Sequence, residues 1–344
     1  MQDVKLIGID IGKHSFHVHG QDGHGRALLR KKFSRHQLIE FLANFQPCVV
    51  VMEACAGAHF MARKIIALGH QAKLISPQFV RPFVKTNKND FVDAEAICEA
   101  ASRPSMRFVT PKNEAQQTLS AIHRIREALV RERVSASNQI HGFLLEFGVS
   151  LPIGHAAIRR LPSILTQHTL PAQLVSVLER LHSHFKYLDE QIDELEKDLT
   201  RQVTADDLGH RLMTVPGIGP ITASVLAAEV GDGKHYRCGR DFAASVGLVP
   251  RQYSTGGRNK LLGISKRGDK DLRRLLVQCA RSYMLRLERQ QGRLAQWVRD
   301  MLTRRHSNVV ACALANKLAR TAWAIAAHHT AFEIKQAPLA ESGA

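Results

Sequence analysis

The sequence predicts an α/β domain followed by an all-α remainder, and three patterns carry that expectation. Residues 1 to 105 alternate short β-branched runs with amphipathic stretches, and the rest of the chain carries apolar residues at helical spacing. Within that rest, Leu174, Leu178, Leu181, Phe185, Leu188, Ile192, Leu195 and Leu199 alternate steps of four and three, a heptad seam.

Residues 4 to 33 read as three successive strands, VKLIGIDI, SFHVHGQ and ALLRKKFS, with turns at GK and DGHG, hence an antiparallel meander. His14, His17, His19 and His24 invite a metal reading. His17 and His19, however, alternate with apolar residues as the wet face of a strand would, and a ligand role for the four is set aside. RHQLIEFLANF then reads as an amphipathic helix, CVVVME as a strand, GAHFMARKIIALG as a helix with a glycine stop, and QAKLIS as another strand. A basic loop broken by prolines leads into a helix from about Asp90 to Ser102, with Asn89 as its cap.

Four acids in this region stand out. Asp10 ends the apolar run VKLIGID, where a carboxylate is costly unless something positive faces it, and that demand points to a metal. Glu53 repeats the design at the end of CVVVME, just before a glycine-containing turn, at the mouth where sheet sites lie. Asp90 and Asp93 stand three apart on a first helical turn and project from one face. A lone strand-end Asp also fits a turn, and an Asp pair at a helix start also fits a cap. The order strand end, strand end, helix start favours a joint site. Four oxygen donors with no Cys or His at ligand spacing favour Mg²⁺ or Mn²⁺ over zinc.

Residues 111 to 147 look helical, residues 148 to 162 interrupt, and the heptad seam follows. Its outer face is acidic (Asp189, Glu190, Asp193, Glu194, Glu196, Asp198), which argues against DNA contact there. The seam fits either an intramolecular hairpin with residues 111–147 or self-association. RLMTVPGIGPITASVLAAEVGD then has the pattern of a helix-hairpin-helix, in which Gly217 and Gly219 let a tight turn offer backbone N–H groups to a phosphate; a purely structural turn is the alternative. Next come Arg251, Arg258, Lys260, Lys266, Arg267, Lys270, Arg273 and Arg274, interleaved with a Gly-rich stretch in which Ser254 and Thr255 precede Gly256 and Gly257. A serine there can be a turn residue, or a hydroxyl nucleophile in a positive field that holds a phosphodiester. An Ala-rich helix from about Val309 to His328 closes the chain.

Composition narrows the function. The 344 residues carry 48 Lys+Arg against 31 Asp+Glu, a net charge of +17. Residues 205 to 344 hold 22 basic and 11 acidic groups, so most of the excess lies in the last third, the footprint of a polyanion partner such as nucleic acid. No apolar run approaches the roughly 20 residues of a membrane span, and the N-terminus enters a strand at once, so a cytoplasmic protein without a signal peptide is expected. The six cysteines show no C-x-x-C spacing and are expected as reduced thiols.

GIDIGK, VVVMEACAG, NDFVDAEAI, VPGIGPITA and GLVPRQYSTGG…GISKRGDKDLRR, in that order, resemble the DEDD transposases of insertion sequences, a family that includes the Piv-type DNA invertases. The resemblance implies recombinases guided by a non-coding bridge or seeker RNA and acting on donor and target DNA. It implies a RuvC-like, RNase H-fold domain (1–105) whose Asp10, Glu53, Asp90 and Asp93 bind Mg²⁺, a coiled-coil segment (106–204) and a C-terminal transposase domain (205–336); the chain end itself reads as a disordered tail (337–344). It also implies a serine nucleophile. The family's Ser before Gly falls on Thr255 when aligned from the glycine, whereas Ser254 is the serine present, and its less hindered primary hydroxyl favours it. Dimers or tetramers are implied, bringing the acids of one subunit near the serine of another, in a prokaryotic, nucleoid-associated setting. Rival readings are a RuvC-like nuclease using water, a non-enzymatic helix-hairpin-helix binder, and an actin-like ATPase. The last would need a second Gly-rich phosphate loop after a strand, and PGIGP sits between helices instead.

Overall fold

A computed structural model describes residues 3–84 and 89–334, which fold as two compact units divided between Gln117 and Thr118. Part of the basic loop before Asn89 and the tail expected to be disordered lie outside the described residues.

The first unit is a six-stranded sheet with helices on both faces. Strands β1 (Leu6–Ile11), β2 (Phe16–Gln21) and β3 (Ala27–Phe33) form the expected meander; β4 (Val49–Glu53) and β5 (Gln71–Ile75) follow, and a short β6 (Phe108–Val109) closes the edge. The spatial order is β3-β2-β1-β4-β5-β6, with β4 parallel to β1 and to β5. Helices α1 (Arg35–Ala43) and α2 (Ala58–Ala67) lie on one face. Ser34 caps α1 in a capping box with Gln37, an arrangement worth about 0.5–2 kcal/mol. Their core is built from one side of the pleat, with Ile7, Ile9, Phe16, Val18, Val50 and Met52 packed under Leu38, Leu42, Met61 and Ile65.

The opposite face carries α3 (Pro77–Val80) and α4 (Asp90–Ala101), with Val51, Ile75, Val80, Ala96, Ile97 and Ala100 as a second core. On β2 this face presents His17, His19 and Gln21. The wet-face expectation is therefore corrected: the two imidazoles are only 5% and 7% exposed, because α4 covers them. The Gln21 amide donates to Ser102 Oγ (2.9 Å), and the Cys98 thiol to the His19 carbonyl (3.5 Å). Gly8 allows the helix to come this close, since a Cβ there would stand 2.5 Å from the Ala94 carbonyl oxygen.

The second unit is mainly helical. The long α5 (Glu114–Leu145), which begins in the first unit, packs with α8 (Ala172–Ala205) as a hairpin, and α6 (His155–Arg159) and α7 (Leu161–Gln167) fill the stretch between them that had read only as an interruption. Leu178 and Phe185 of the heptad seam are buried with Ala136, Ile140 and Leu144 of α5, so the intramolecular alternative holds for that seam. Ion pairs lock the hairpin: Arg133 and Arg159 both bind Asp189 (2.5 Å each), and Arg126 binds Glu196. Burial opposes ionisation of Asp189, yet the hydrogen bonds from the two arginines outweigh it and hold its carboxyl below the usual range.

Helices α9 (Asp207–Met213), α10 (Pro220–Val230), α11 (Gly239–Ser245), α12 (Lys270–Leu285), α13 (Gly292–Leu302) and α14 (Ser307–His328) share one core with Leu226, Phe242, Leu276 and Leu318 at its centre. By length and composition α14 could cross a membrane; here Val310, Leu314, Leu318, Ala322 and Ile325 bury it in this core. The Gly-rich stretch between α11 and α12 is a hairpin of β7 (Pro250–Gln252) and β8 (Leu261–Ile264). All six cysteines are free thiols.

Candidate active site

Strand register explains why the first two acids meet. Asp10 and Glu53 each follow the last paired positions, Ile9 and Met52, of two adjacent parallel strands, so both carboxylates sit at the same end of the sheet. The other two arrive on α4. Asn89 caps that helix by accepting a hydrogen bond from the Phe91 amide (3.0 Å), which places Asp90 and Asp93 in the first turn, where the helix dipole favours negative charge.

Three of the four acids meet at Glu53. Burial first, and then the charges of Asp10 and Asp93, hold the Glu53 carboxyl above the usual carboxylate range. Cys55, two residues on, has its thiol pushed up by burial and then by Glu53 and Asp10. Asp10 and Asp90 come together at a third group that the sequence reading had set aside. His17 Nδ1 lies 3.4 Å from Asp90 Oδ2, and donor atoms of Asp10, His17 and Asp90 all fall within 4.8 Å of one another. The signal was present in the sequence. A tight turn at Gly12–Ser15 pairs Asp10 with His17 across β1 and β2. Crowded carboxylates with an imidazole among them are a donor set that suits a divalent cation.

The hydroxyl candidates lie in the second unit. In the β7–β8 hairpin, Gly256 and Gly257 both take positive φ (54° and 75°), as a two-residue type I′ turn requires, between Thr255 and Arg258. Ser254 is exposed beside this turn, and its Oγ accepts hydrogen bonds from Gln252 Nε2 (2.9 Å) and the Lys260 amide (3.3 Å). Arg251, Arg258, Lys260, Lys266 and Arg267 are exposed on the hairpin and the loop after it.

Two other expected contacts have structural partners. The Arg273 guanidinium donates to the carbonyls of Val246 (2.8 Å) and Arg267 (3.3 Å), tying the loops on either side of the hairpin, and Arg274 pairs with Glu127 (2.5 Å). The Pro-Gly-Ile-Gly-Pro turn does connect two helices, α9 and α10. Gly217 sits at φ 90° against α12, where a Cβ would fall 2.8 Å from the Cys279 carbonyl oxygen. Burial pushes the Cys279 thiol up, and the Thr222 side chain and then the Gly219 backbone oppose that shift.

Comparison with known proteins gives a consistent result at both ends of the chain. Residues 7–148 match a DEDD family of the IS110 type described as "Transposase", and residues 209–296 match one described as "Transposase IS116/IS110/IS902 family". The "Transposase for insertion sequence element IS1328" of Yersinia enterocolitica is 66% identical over 332 residues, covering 96% of this chain and 99% of that protein. The "Transposase for insertion sequence element IS1111A" of Coxiella burnetii is 39% identical over 328 residues, covering 94% and 90%. A more distant relative is the "Pilin gene-inverting protein" of Moraxella bovis, 21% identical over 225 residues, covering 63% and 61%.

Proposed function

The chain belongs to the IS110/IS116 family of DEDD transposases, enzymes that cut and rejoin DNA, and on that premise we propose that Asp10, Glu53, Asp90 and Asp93 hold divalent ions at a scissile phosphodiester while Ser254 supplies the attacking hydroxyl. One observation carries the reading of the acids: after burial, the charges of Asp10 from a neighbouring strand end and Asp93 from a helix start hold the Glu53 carboxyl above the usual carboxylate range. The strand order, three antiparallel strands followed by β4 and β5 parallel to the first, supports a RuvC-like identity for the first unit.

A bound divalent ion would supply positive charge to the phosphodiester oxygens. The chain's own residues do the rest. Arg251, Arg258, Lys260, Lys266 and Arg267 draw the DNA backbone to the hairpin. Gln252 and the Lys260 amide hold Ser254 Oγ in place through the two bonds it accepts. The oxygen bonds to phosphorus as a sugar oxygen leaves; the serine proton departs and the leaving oxygen takes one up. A hydroxyl of a second DNA end then attacks the phosphoseryl link and restores the serine. Because the link conserves the energy of the bond, no ATP is needed.

Guidance by a non-coding RNA is part of the same proposal, with target choice lying in base pairing. So is assembly into dimers or tetramers. With the heptad seam buried inside the chain, the large apolar residues left exposed on the helical hairpin, Ile125, Val134, Phe143, Leu145, Val177 and Tyr187, are the surface such assembly would use.

The test is strand exchange between two DNA sites in Mg²⁺. Asp10→Asn is expected to abolish exchange while RNA binding survives; retained exchange would remove the acids from the chemistry. A covalent DNA adduct that disappears in Ser254→Ala and persists in Thr255→Ala identifies the nucleophile. The reverse pattern assigns Thr255, and no adduct in the wild type would leave water as the attacking group.

A further inference from the structure

We infer that His17 is a fifth member of the metal-binding set and that its imidazole shifts the centre's preference from Mg²⁺ towards Mn²⁺, an inference that rests on the reading of the four acids given above. No DEDD count includes it, because His17 is brought to the acids by strand pairing and not by sequence spacing.

Four observations support it. His17 lies directly across the β1–β2 pair from Asp10, a position in which side chains of neighbouring strands stand about 5 Å apart at Cβ. Its side chain is 7% exposed and set edge-on against Phe91 with centroids 4.7 Å apart, and the Arg30 guanidinium lies 4.7 Å from the Phe91 centroid. The imidazole is thus held by packing, as a ligand must be before the ion arrives. Its Nδ1 is 3.4 Å from Asp90 Oδ2, longer than the roughly 2.7–3.2 Å of a good N–H···O hydrogen bond. Ligand atoms sharing one octahedral ion at about 2.1 Å stand about 3.0 Å apart when adjacent and about 4.2 Å when opposite, and the His17–Asp90 separation lies between these limits. Finally, Asp10 joins both within the same 4.8 Å cluster, a span that an ion would draw in towards the about 4.2 Å its ligands allow, so donors from β1, β2 and α4 converge.

The chemistry sets the direction of the selectivity. Mg²⁺ prefers an all-oxygen shell, whereas imidazole nitrogen strengthens the hold on first-row transition ions. Mn²⁺ accepts both donor types.

The test uses the full-length protein and the metal alone. Mn²⁺ bound to the wild type should show nitrogen hyperfine coupling by pulsed electron paramagnetic resonance, changing in the expected way when histidine is ¹⁵N-labelled. Titration should show His17→Ala and His17→Gln losing at least the about 10- to 100-fold in Mn²⁺ affinity that removal of a ligand's outer-shell partner costs, with a smaller loss for Mg²⁺. Unchanged circular dichroism would exclude unfolding as the cause. Mn²⁺ that binds, is lost in Asp10→Asn and shows no histidine coupling would overturn the inference alone and leave the acids in place. Mn²⁺ binding that ignores Asp10→Asn would overturn the reading of the acids and this inference with it.

Discussion

Replacing Gly8 by alanine tests whether the acid cluster is held by helix-to-strand packing. The added Cβ would lie 2.5 Å from the Ala94 carbonyl oxygen, 2.8 Å from Cys98 Sγ and 3.1 Å from the Cys98 amide nitrogen. Ordinary contact begins at 3.4 Å, so α4 must withdraw by about 0.9 Å, the difference between 3.4 and 2.5. The Ala94 carbonyl belongs to the helix backbone and cannot rotate aside. Overpacking of this kind costs about 1–3 kcal/mol, and the first unit should melt a few degrees lower.

The larger effect falls on chemistry. Gly8 is two residues from Asp10, and α4 carries Asp90 and Asp93, so the withdrawal parts the strand acids from the helix acids. Misplacing reacting groups by about 1 Å can lower a rate about 100-fold. The assay is single-turnover strand exchange alongside Mn²⁺ titration, with Gly23→Ala as control because a Cβ there meets nothing within 4 Å. Adding Cys98→Ala to Gly8→Ala should recover only part of the loss, since the carbonyl contact remains. Burial pushes the Cys98 thiol up to about 12, so that second change removes a neutral packing group and no charge. Exchange by Gly8→Ala within about twofold of the wild type would refute the argument that this contact sets the acids' spacing.

Two further outcomes are expected. Arg258→Ala should weaken DNA binding and reduce its salt dependence by about one released counterion, whereas Arg273→Ala should leave the salt slope unchanged and lower thermal stability through its lost carbonyl bonds, about 1–3 kcal/mol, as salt titration and melting would show. His123 bonds to the Ser224 hydroxyl (3.0 Å), and burial, followed by Arg126, lowers its pKa to about 4. The unfolded chain takes up this proton near pH 6.5 and the folded one does not, so the contribution is fully present above pH 6.5 and is lost as pH falls towards 4; melting scans should show a shallower decline for His123→Gln.

Much of the first unit was legible because its strands are β-branched runs bounded by turns, and with it the placing of Asp10 and Glu53 at strand ends and of Asp90 and Asp93 at a helix start. His17 was misread for a physical reason. Alternation marks a strand with two unlike faces, but a helix can cover the polar face as well, and only the position of α4 shows that it does. The hairpin around Ser254 was missed because its strands are three and four residues long and carry mostly exposed side chains. Arg273 and Arg274 were indistinguishable in sequence from their neighbours. Their partners, Val246 and Glu127, lie 27 and 147 residues away, beyond the reach of any local pattern.

The bend between the first two strands acts as a ruler. Lys13 and His14 at its tip are exposed, and other residue types would serve there. Their number is another matter. Inserting or deleting one residue would turn every later side chain of β2 through the sheet, sending His17 in among the aliphatic groups beneath α1 and α2 and bringing a phenylalanine or valine up to Asp10. Relatives that keep the imidazole are therefore expected to keep this loop's length, however freely its letters drift.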